Sequence, residues 1–361
     1  MVDHVNQFNV PAIAIDLPGS LSADTSSKSN TVIRAIPTLS FQNYKLAFLL
    51  PENENYCGEL HILHIGLHKD FEDKEGTVFE LTDKELIKII YKPRNKFAHK
   101  GTYGHTALVT GSYGMMGASV LSVRACLRTG AGKLTCYIPK CCYPVLQTTV
   151  PEAMCIVSGD EYILSADGTE KYDVVGIGPG LGTPASNADL LTAIFKAVKK
   201  PMLIDADALN TIANHKELFE HIPTHSIITP HLKEFERLYN SVSNDFERLQ
   251  LALQKSKEHN IYIVLKGHFT FISTPDGKGY FNNTGNAGMA TAGSGDVLSG
   301  IITGLLAQGY TPLQSCLLGT WLHGLAGDTA AEKISEETML AGDIINSLGE
   351  SFKKISDPSI V

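Results

Sequence analysis

The stretch Gly285–Gly309, GNAGMATAGSGDVLSGIITGLLAQG, sets glycines at 285, 288, 293 and 295 and the acid Asp296 directly ahead of an apolar run. In that run Val297, Leu298, Ile301, Ile302, Leu305 and Leu306 recur at helical spacing, which predicts a buried helix fed by a glycine loop. Glycines there let another molecule approach the main chain. The first amides of a helix have no partner inside it and so face whatever fills the loop. In AGSGD the backbone N–H groups of Gly293, Ser294 and Gly295 are a candidate anion hole. Asp296 follows where a carboxylate could take a proton from an attacking hydroxyl, and together these are the needs of phosphoryl transfer. The competing reading is an ordinary helix cap whose aspartate is stabilised by the helix dipole.

Working outward, short runs rich in Val, Ile and Thr alternate with amphipathic stretches from about residue 104 onward. HTALVTG, KLTCYIP, VVGIG, PMLIDAD, SIITP, IYIVLKG and FTFISTP read as strands; SNADLLTAIFKAVKK and FERLQLALQKSKEHN read as helices. This alternation predicts a layered α/β/α domain around a mostly parallel central sheet. The first 70 or so residues differ, because IAIDLPGSL and GELHILHIG read as strands with no full helix between them. A charged stretch, HKDFEDKEGTVFELTDKE, separates them from the rest, and Lys92-Pro93-Arg94 reads as a turn before the main domain.

The chain has 361 residues, 43% of them hydrophobic, and a formal net charge of −8. That content supports a real core, and the acidic balance without a long Lys/Arg block argues against nucleic acid or an anionic membrane as partner. No apolar run reaches the roughly 18 residues a bilayer span needs, and MVDHVNQFNV lacks the layout of a signal peptide, so a cytoplasmic enzyme is expected. Seven cysteines, including the adjacent Cys141 and Cys142, show no zinc or CxxC spacing and read as reduced thiols.

In open parallel sheets ligands gather beyond the carboxyl ends of the strands, so the residues after each strand carry the chemistry. GIGPGLG, Gly176 to Gly182, superficially matches a dinucleotide fingerprint with Asp205 downstream. Pro179 inside the loop and the late helix start near Ser186 favour a glycine-lined floor under a substrate instead. Lys266, Gly267, His268, Phe269 and Thr270 follow the strand IYIVL, where a lysine and a hydroxyl could meet a nucleotide's phosphates or ribose. In Thr229-Pro230-His231-Leu232-Lys233-Glu234, His231 points toward a substrate and Glu234 toward a water-mediated metal contact. Asp205 and Asp207 either contact ligand or cap the next helix. The thirteen histidines show no HExxH spacing, so Mg2+ is expected to arrive on a nucleotide and not in a protein cage.

These motifs occur in the order seen in the NAD(P)HX dehydratases of the ribokinase-like superfamily, which the chain resembles from about Thr77 to Ser351: KGTYGHTALVTGSYGMMGAS, VPEAM, GIGPGLG, IDADALN, ITPHLKEFERL, VLKGHFTFISTPDG and TGNAGMATAGSGDVLSGIITGLLAQG. The resemblance implies repair of the S epimer of hydrated NADH or NADPH (NADHX, NADPHX) with ADP or ATP and Mg2+. It places Ala118, Gly180, His231 and Asp296 against the substrate, with Asp296 catalytic. Lys266, Gly267, His268, Phe269, Thr270, Asn286, Gly293, Ser294 and Gly295 fall against the nucleotide. Kinase relatives carry Asn where His231 stands. A small-molecule kinase acting on a thiazole or pyrimidine alcohol is the alternative, and a silent nucleotide sensor a third reading. Residues 1–72 resemble the tail of the NAD(P)HX epimerase domain, through VPAIAIDLPGSLSADTS and GELHILHIG, with 73–92 as connector and 93–361 as the dehydratase domain. The epimerase's NNGGDG loop is absent and Gly19-Ser20 inverts its Ser-Gly order, so no epimerase activity is expected. A homo-oligomer is expected as well.

Overall fold

In the computed structural model, residues 1–8, 10–68 and 76–356 are described. The chain divides into two compact units, residues 1–79 with 241–252, and residues 80–240 with 253–361.

The smaller unit holds three strands, β1 (Ala14–Ile15), β2 (Pro37–Phe41) and β3 (Glu59–Leu63), all parallel in the order β1-β2-β3. The sequence suggests two of these. PTLSF escapes notice because its buried positions are Thr38 and Ser40, polar residues satisfied inside the unit: Thr38 Oγ1 donates to Cys57 O at 2.6 Å and Ser40 Oγ to Asp16 Oδ1 at 3.3 Å. Glu52 and Asp245 lock the unit by exchanging backbone-to-carboxylate bonds of 2.8 and 2.6 Å.

In the larger unit β5 (His105–Val109) is buried from Thr106 to Val109, as expected of a parallel strand covered on both faces. It sits between β6 (Lys133–Ile138) and β8 (Val174–Ile177) in a ten-stranded sheet. On one side β6 is followed by β7 (Met154–Val157). On the other, β8 is followed by β9 (Leu203–Ile204), β10 (Ile227–Ile228) and β11 (Tyr262–Leu265), all parallel. β12 (Thr270–Ser273) and β13 (Gly279–Asn282) then run antiparallel, and β4 (Phe79–Thr82) forms the edge.

Seven of these strands are the seven legible in the sequence of the main domain, and β4, β7 and β13 are additional. The segment expected as a connector contributes β4 and the helix Lys84–Ile90, whose Ile87 and Ile90 are buried in the same core as Trp321 and Ile344. Ile87 and Ile90, three apart, bury one face of this short helix, while Glu85 and Ile89 stay exposed.

Helices cover both faces of the sheet in two sets. Met116–Thr129, Ser294–Ala307, Pro312–Lys333 and Ala341–Ser356 pack with one another, while Asn187–Ala197, Ala206–Asn214 and Leu232–Tyr239 form the second set. The most extensive packing between helices is that of Met116–Thr129 on Ser294–Ala307. A Cβ on Gly300 would lie 2.2 Å from Ser122 O, so this glycine lets two helix backbones touch and fixes where the Ser294 end points. Among the described residues no helix is long and apolar enough to cross a membrane.

Candidate active site

Strand order reverses between β5 and β8, so their carboxyl ends diverge and leave a crevice. Two turns line it and hold each other. Gly111 N donates to Pro179 O (3.0 Å) and Ser112 Oγ to Gly180 O (2.8 Å). Gly180 has φ +65°, and a Cβ on it would lie 2.6 Å from Met115 O and 3.1 Å from the Ala118 Cβ. Two of the residues expected at the substrate, Ala118 and Gly180, are therefore brought face to face. Asp207 Oδ2 accepts Gly182 N at 2.9 Å and pins the far end of the turn.

The next three strands end in a charged network. Lys266, after β11, places Nζ 3.0 Å from Asp205 Oδ1 and 3.8 Å from Glu234 Oε2. Asp205, after β9, is 1% exposed, and its other oxygen accepts the Ser299 hydroxyl from the helix that begins at Ser294. Its side chain makes no bond to the helix it precedes, so it serves the network and not the cap. Burial pulls the Lys266 ammonium down, but the carboxylates of Asp205 and Glu234 outweigh it and the net direction is up, so the lysine stays charged.

His231 caps the helix Leu232–Tyr239. Its Nδ1 accepts the amides of Lys233 (3.1 Å) and Glu234 (3.3 Å), while Glu234 Oε2 accepts His231 N at 2.8 Å. With Nδ1 an acceptor, the neutral ring carries its proton on Nε2. Burial, then the neighbouring Lys266 charge, lowers its pKa, so it is neutral near pH 7. Glu234, pushed up by burial, is thus a capping residue with its second oxygen 3.5 Å from His231 Nε2. Among the described residues no group of three or more His, Cys, Asp or Glu side chains is arranged to hold a metal ion.

Asp296 stands in the first turn of Ser294–Ala307, facing this network. Burial, then the negative charge of Asp205, raises its carboxyl from 3.8 to about 7, against the pull of Lys266. A carboxylate poised there is matched to proton transfer at neutral pH. Lys266 is also beside the glycine loop, since a Cβ on Gly295 would lie 3.4 Å from Nζ. Ser294 N is bonded to Thr291 O at 3.3 Å, so one of the three expected anion-hole amides is engaged within the loop.

The remaining sequence-derived positions divide. Gly267 and His268 are exposed beyond β11; Phe269 meets the His268 ring edge to face at 4.5 Å, and Thr270 Oγ1 donates to Gly267 O at 3.2 Å. The Asn286 side chain is engaged at both ends, donating to Asp328 Oδ1 (2.9 Å) and accepting Gly288 N (3.1 Å). Sequence reasoning overlooks Ser112, Ser299 and Asp328. The first two are small hydroxyls inside motifs read for their glycines and acid, and Asp328 lies in a helix with three interior glycines, the one available signal.

A mostly parallel sheet with its switch-point crevice, an antiparallel edge, and a glycine loop delivering an aspartate at a helix start define a ribokinase-like enzyme. A ribokinase-like superfamily protein from Enterococcus faecalis superposes with a TM-score of 0.67 and 26% identity, over 78% of this chain and 98% of that one. Residues 106–349 match the NAD(P)H-hydrate dehydratase family, and the chain belongs to it. A bifunctional NAD(P)H-hydrate repair enzyme from Moorella thermoacetica is 34% identical over 370 residues, covering 99% of this chain and 69% of the relative. An ADP/ATP-dependent NAD(P)H-hydrate dehydratase from Bacillus subtilis, co-crystallised with ATP/Mg2+, superposes with a TM-score of 0.65 and 28% identity, over 76% of this chain and 98% of that one.

Proposed function

We propose that this protein dehydrates the S epimer of hydrated NADH or NADPH at the expense of ATP or ADP, restoring the reduced cofactor. The observation that carries the reading is Asp296, a carboxyl raised to about 7 at the start of a glycine-fed helix, beside a charged Lys266. The hydrate lies over the Ala118–Gly180 floor with His231 as a neutral donor, and the nucleotide takes Lys266 to Thr270 and the loop at Gly293 to Gly295.

Asp296 accepts the proton of the ring hydroxyl as its oxygen bonds to the terminal phosphoryl group, whose bridging oxygen leaves with the shorter nucleotide. Amides at the helix start and the Lys266 ammonium face the negative charge that develops on that group. Asp205 and Glu234 keep the ammonium charged and in place. Mg2+, carried on the nucleotide's phosphates, supplies charge neutralisation there. The ring nitrogen's lone pair then expels phosphate, the neighbouring carbon gives up a proton, and the dihydronicotinamide double bond forms.

The smaller unit reads as similar to part of an epimerase domain, without that activity. The Moorella relative is described as bifunctional and aligns over nearly all of this chain, beyond the dehydratase segment. Ser20 adds a physical argument: it holds φ +71°, a conformation that favours glycine, which is the residue the epimerase motif places there. Offered the pure R hydrate with nucleotide, the protein should turn over no faster than spontaneous epimerisation supplies S hydrate. A rate rising in proportion to enzyme above that ceiling would refute the proposed absence of epimerase activity. Side-by-side assays of S hydrate with ATP, ADP or neither test the main reading: NADH absorbance returns only with nucleotide, and a nucleotide-independent return overturns it.

A further inference from the structure

The helix Pro312–Lys333 carries the run His323-Gly324-Leu325-Ala326-Gly327-Asp328, and one side of it meets the glycine loop at five points. Thr284 Oγ1 donates to Trp321 O at 3.0 Å. A Cβ on Gly324 would lie 2.5 Å from the Thr284 carbonyl carbon, and one on Gly327 would lie 2.2 Å from Met289 Sδ. Asp328 accepts Gly285 N on Oδ2 and Asn286 Nδ2 on Oδ1, both at 2.9 Å. His323 Nε2 is 3.2 Å from Ser294 Oγ. Residues 323 and 327, and 324 and 328, are four apart and so share a helix face. Burial holds the His323 imidazole down at about 4, so this partner is neutral at physiological pH.

We propose that the helix face of His323, Gly324, Gly327 and Asp328 is the template that shapes the nucleotide loop, with Asp328 and Asn286 acting as positioning residues for nucleotide binding. This rests on the reading that the loop at 285–295 holds the nucleotide. The two glycines let the loop backbone and Met289 lie against the helix. The carboxylate fixes the loop's start through Gly285 and, through Asn286, the amide of Gly288; His323 fixes its end through Ser294. Asn286 thereby changes role, from a residue touching the nucleotide to one that shapes the turn.

The bond pattern supplies its own test. Asp328→Asn sets an amide where the carboxylate receives two donors, and Asn286→Asp sets two carboxylates against each other. Combined, the substitutions reverse the pair: an amide on the helix accepts Gly285 N and donates to a carboxylate on the loop, which still accepts Gly288 N. Bonds to a charged partner are strong enough that each single variant should raise the nucleotide KM about tenfold or more, with the hydrate KM within about twofold. The double variant should return to within about threefold of the parent. Circular dichroism and thermal melting confirm folding; should a single variant fail to fold, Asn286→Ser carries the same expectation.

A double variant as impaired as Asn286→Asp alone would show that Asn286 touches the nucleotide directly, overturning the proposal. Unchanged nucleotide KM in all three, with a raised value for Lys266→Ala, would overturn the template while leaving the nucleotide reading intact. Unchanged values in Lys266→Ala as well would overturn both.

Discussion

Replacing Asp296 by Asn should separate catalysis from stability in opposite directions. The carboxyl is raised from 3.8 to about 7, first by burial and then by the charge on Asp205. A folded-state pKa above the unfolded value means that folding favours the protonated acid. Its stabilising contribution is fully present below about pH 3.8 and is lost as pH rises through about 7. At 1.36 kcal/mol per pKa unit, holding this carboxylate ionised costs about 4 kcal/mol above neutral pH, a ceiling set by burial in a site that solvent partly reaches. Asparagine keeps the shape and never ionises. The variant should therefore be more stable than the parent, with the gap growing by about 3 kcal/mol between pH 5 and pH 8.5 and flat above. Turnover should fall on the order of a hundredfold to ten-thousandfold, the usual worth of a positioned base. Urea unfolding of both proteins across that pH range, with turnover measured alongside, checks this. A gap independent of pH, or a turnover loss below about fivefold, would refute the assignment of Asp296 as the proton acceptor.

Lys266→Ala should destabilise by about 3 kcal/mol, because it strips Asp205, 1% exposed, of its ion-pair partner. It should also move the rise of turnover with pH upward, since Lys266 pulls the Asp296 pKa down; a pH profile that stays put would contradict the contact. Gly180→Ala forces a side chain into φ +65° and to within 2.6 Å of Met115 O, so initial-rate measurements should show the hydrate KM rising well above the nucleotide KM. An equal rise in both would remove Gly180 from the substrate floor. Ser20→Gly should stabilise the smaller unit by about 1 kcal/mol or less, the strain of the left-handed backbone offset by added freedom in the unfolded chain, as read by thermal melting.

The central strands are legible because parallel strands covered on both faces are written as apolar runs, of which Ala107–Val109 is an example. The Asp296 loop is legible because glycines ahead of an apolar helix have few other uses. What escapes is whatever depends on distant partners. β4 hides in a charged stretch with Thr82 as its buried residue, and Lys84–Ile90 follows directly, too short for its apolar spacing to declare a helix. Asp205 and Lys266 are 61 positions apart, and nothing local says that one neutralises the other. His231 reads as substrate-facing, yet its Nδ1 is occupied by a helix cap, a role that serine or aspartate more often fills. Asp328 is invisible because a carboxylate inside a long helix usually faces solvent.

The central claim is that phosphorylation of the hydrate is followed by elimination on the same enzyme. The most direct test is to incubate purified S hydrate with ATP and Mg2+, measuring free phosphate, restored NADH absorbance and phosphorylated hydrate in one time course. The account predicts one phosphate released and one NADH formed per ATP consumed, with no phosphorylated hydrate accumulating. A stable phosphorylated product, with ATP consumed and no return of NADH absorbance, would make the protein a small-molecule kinase and contradict it.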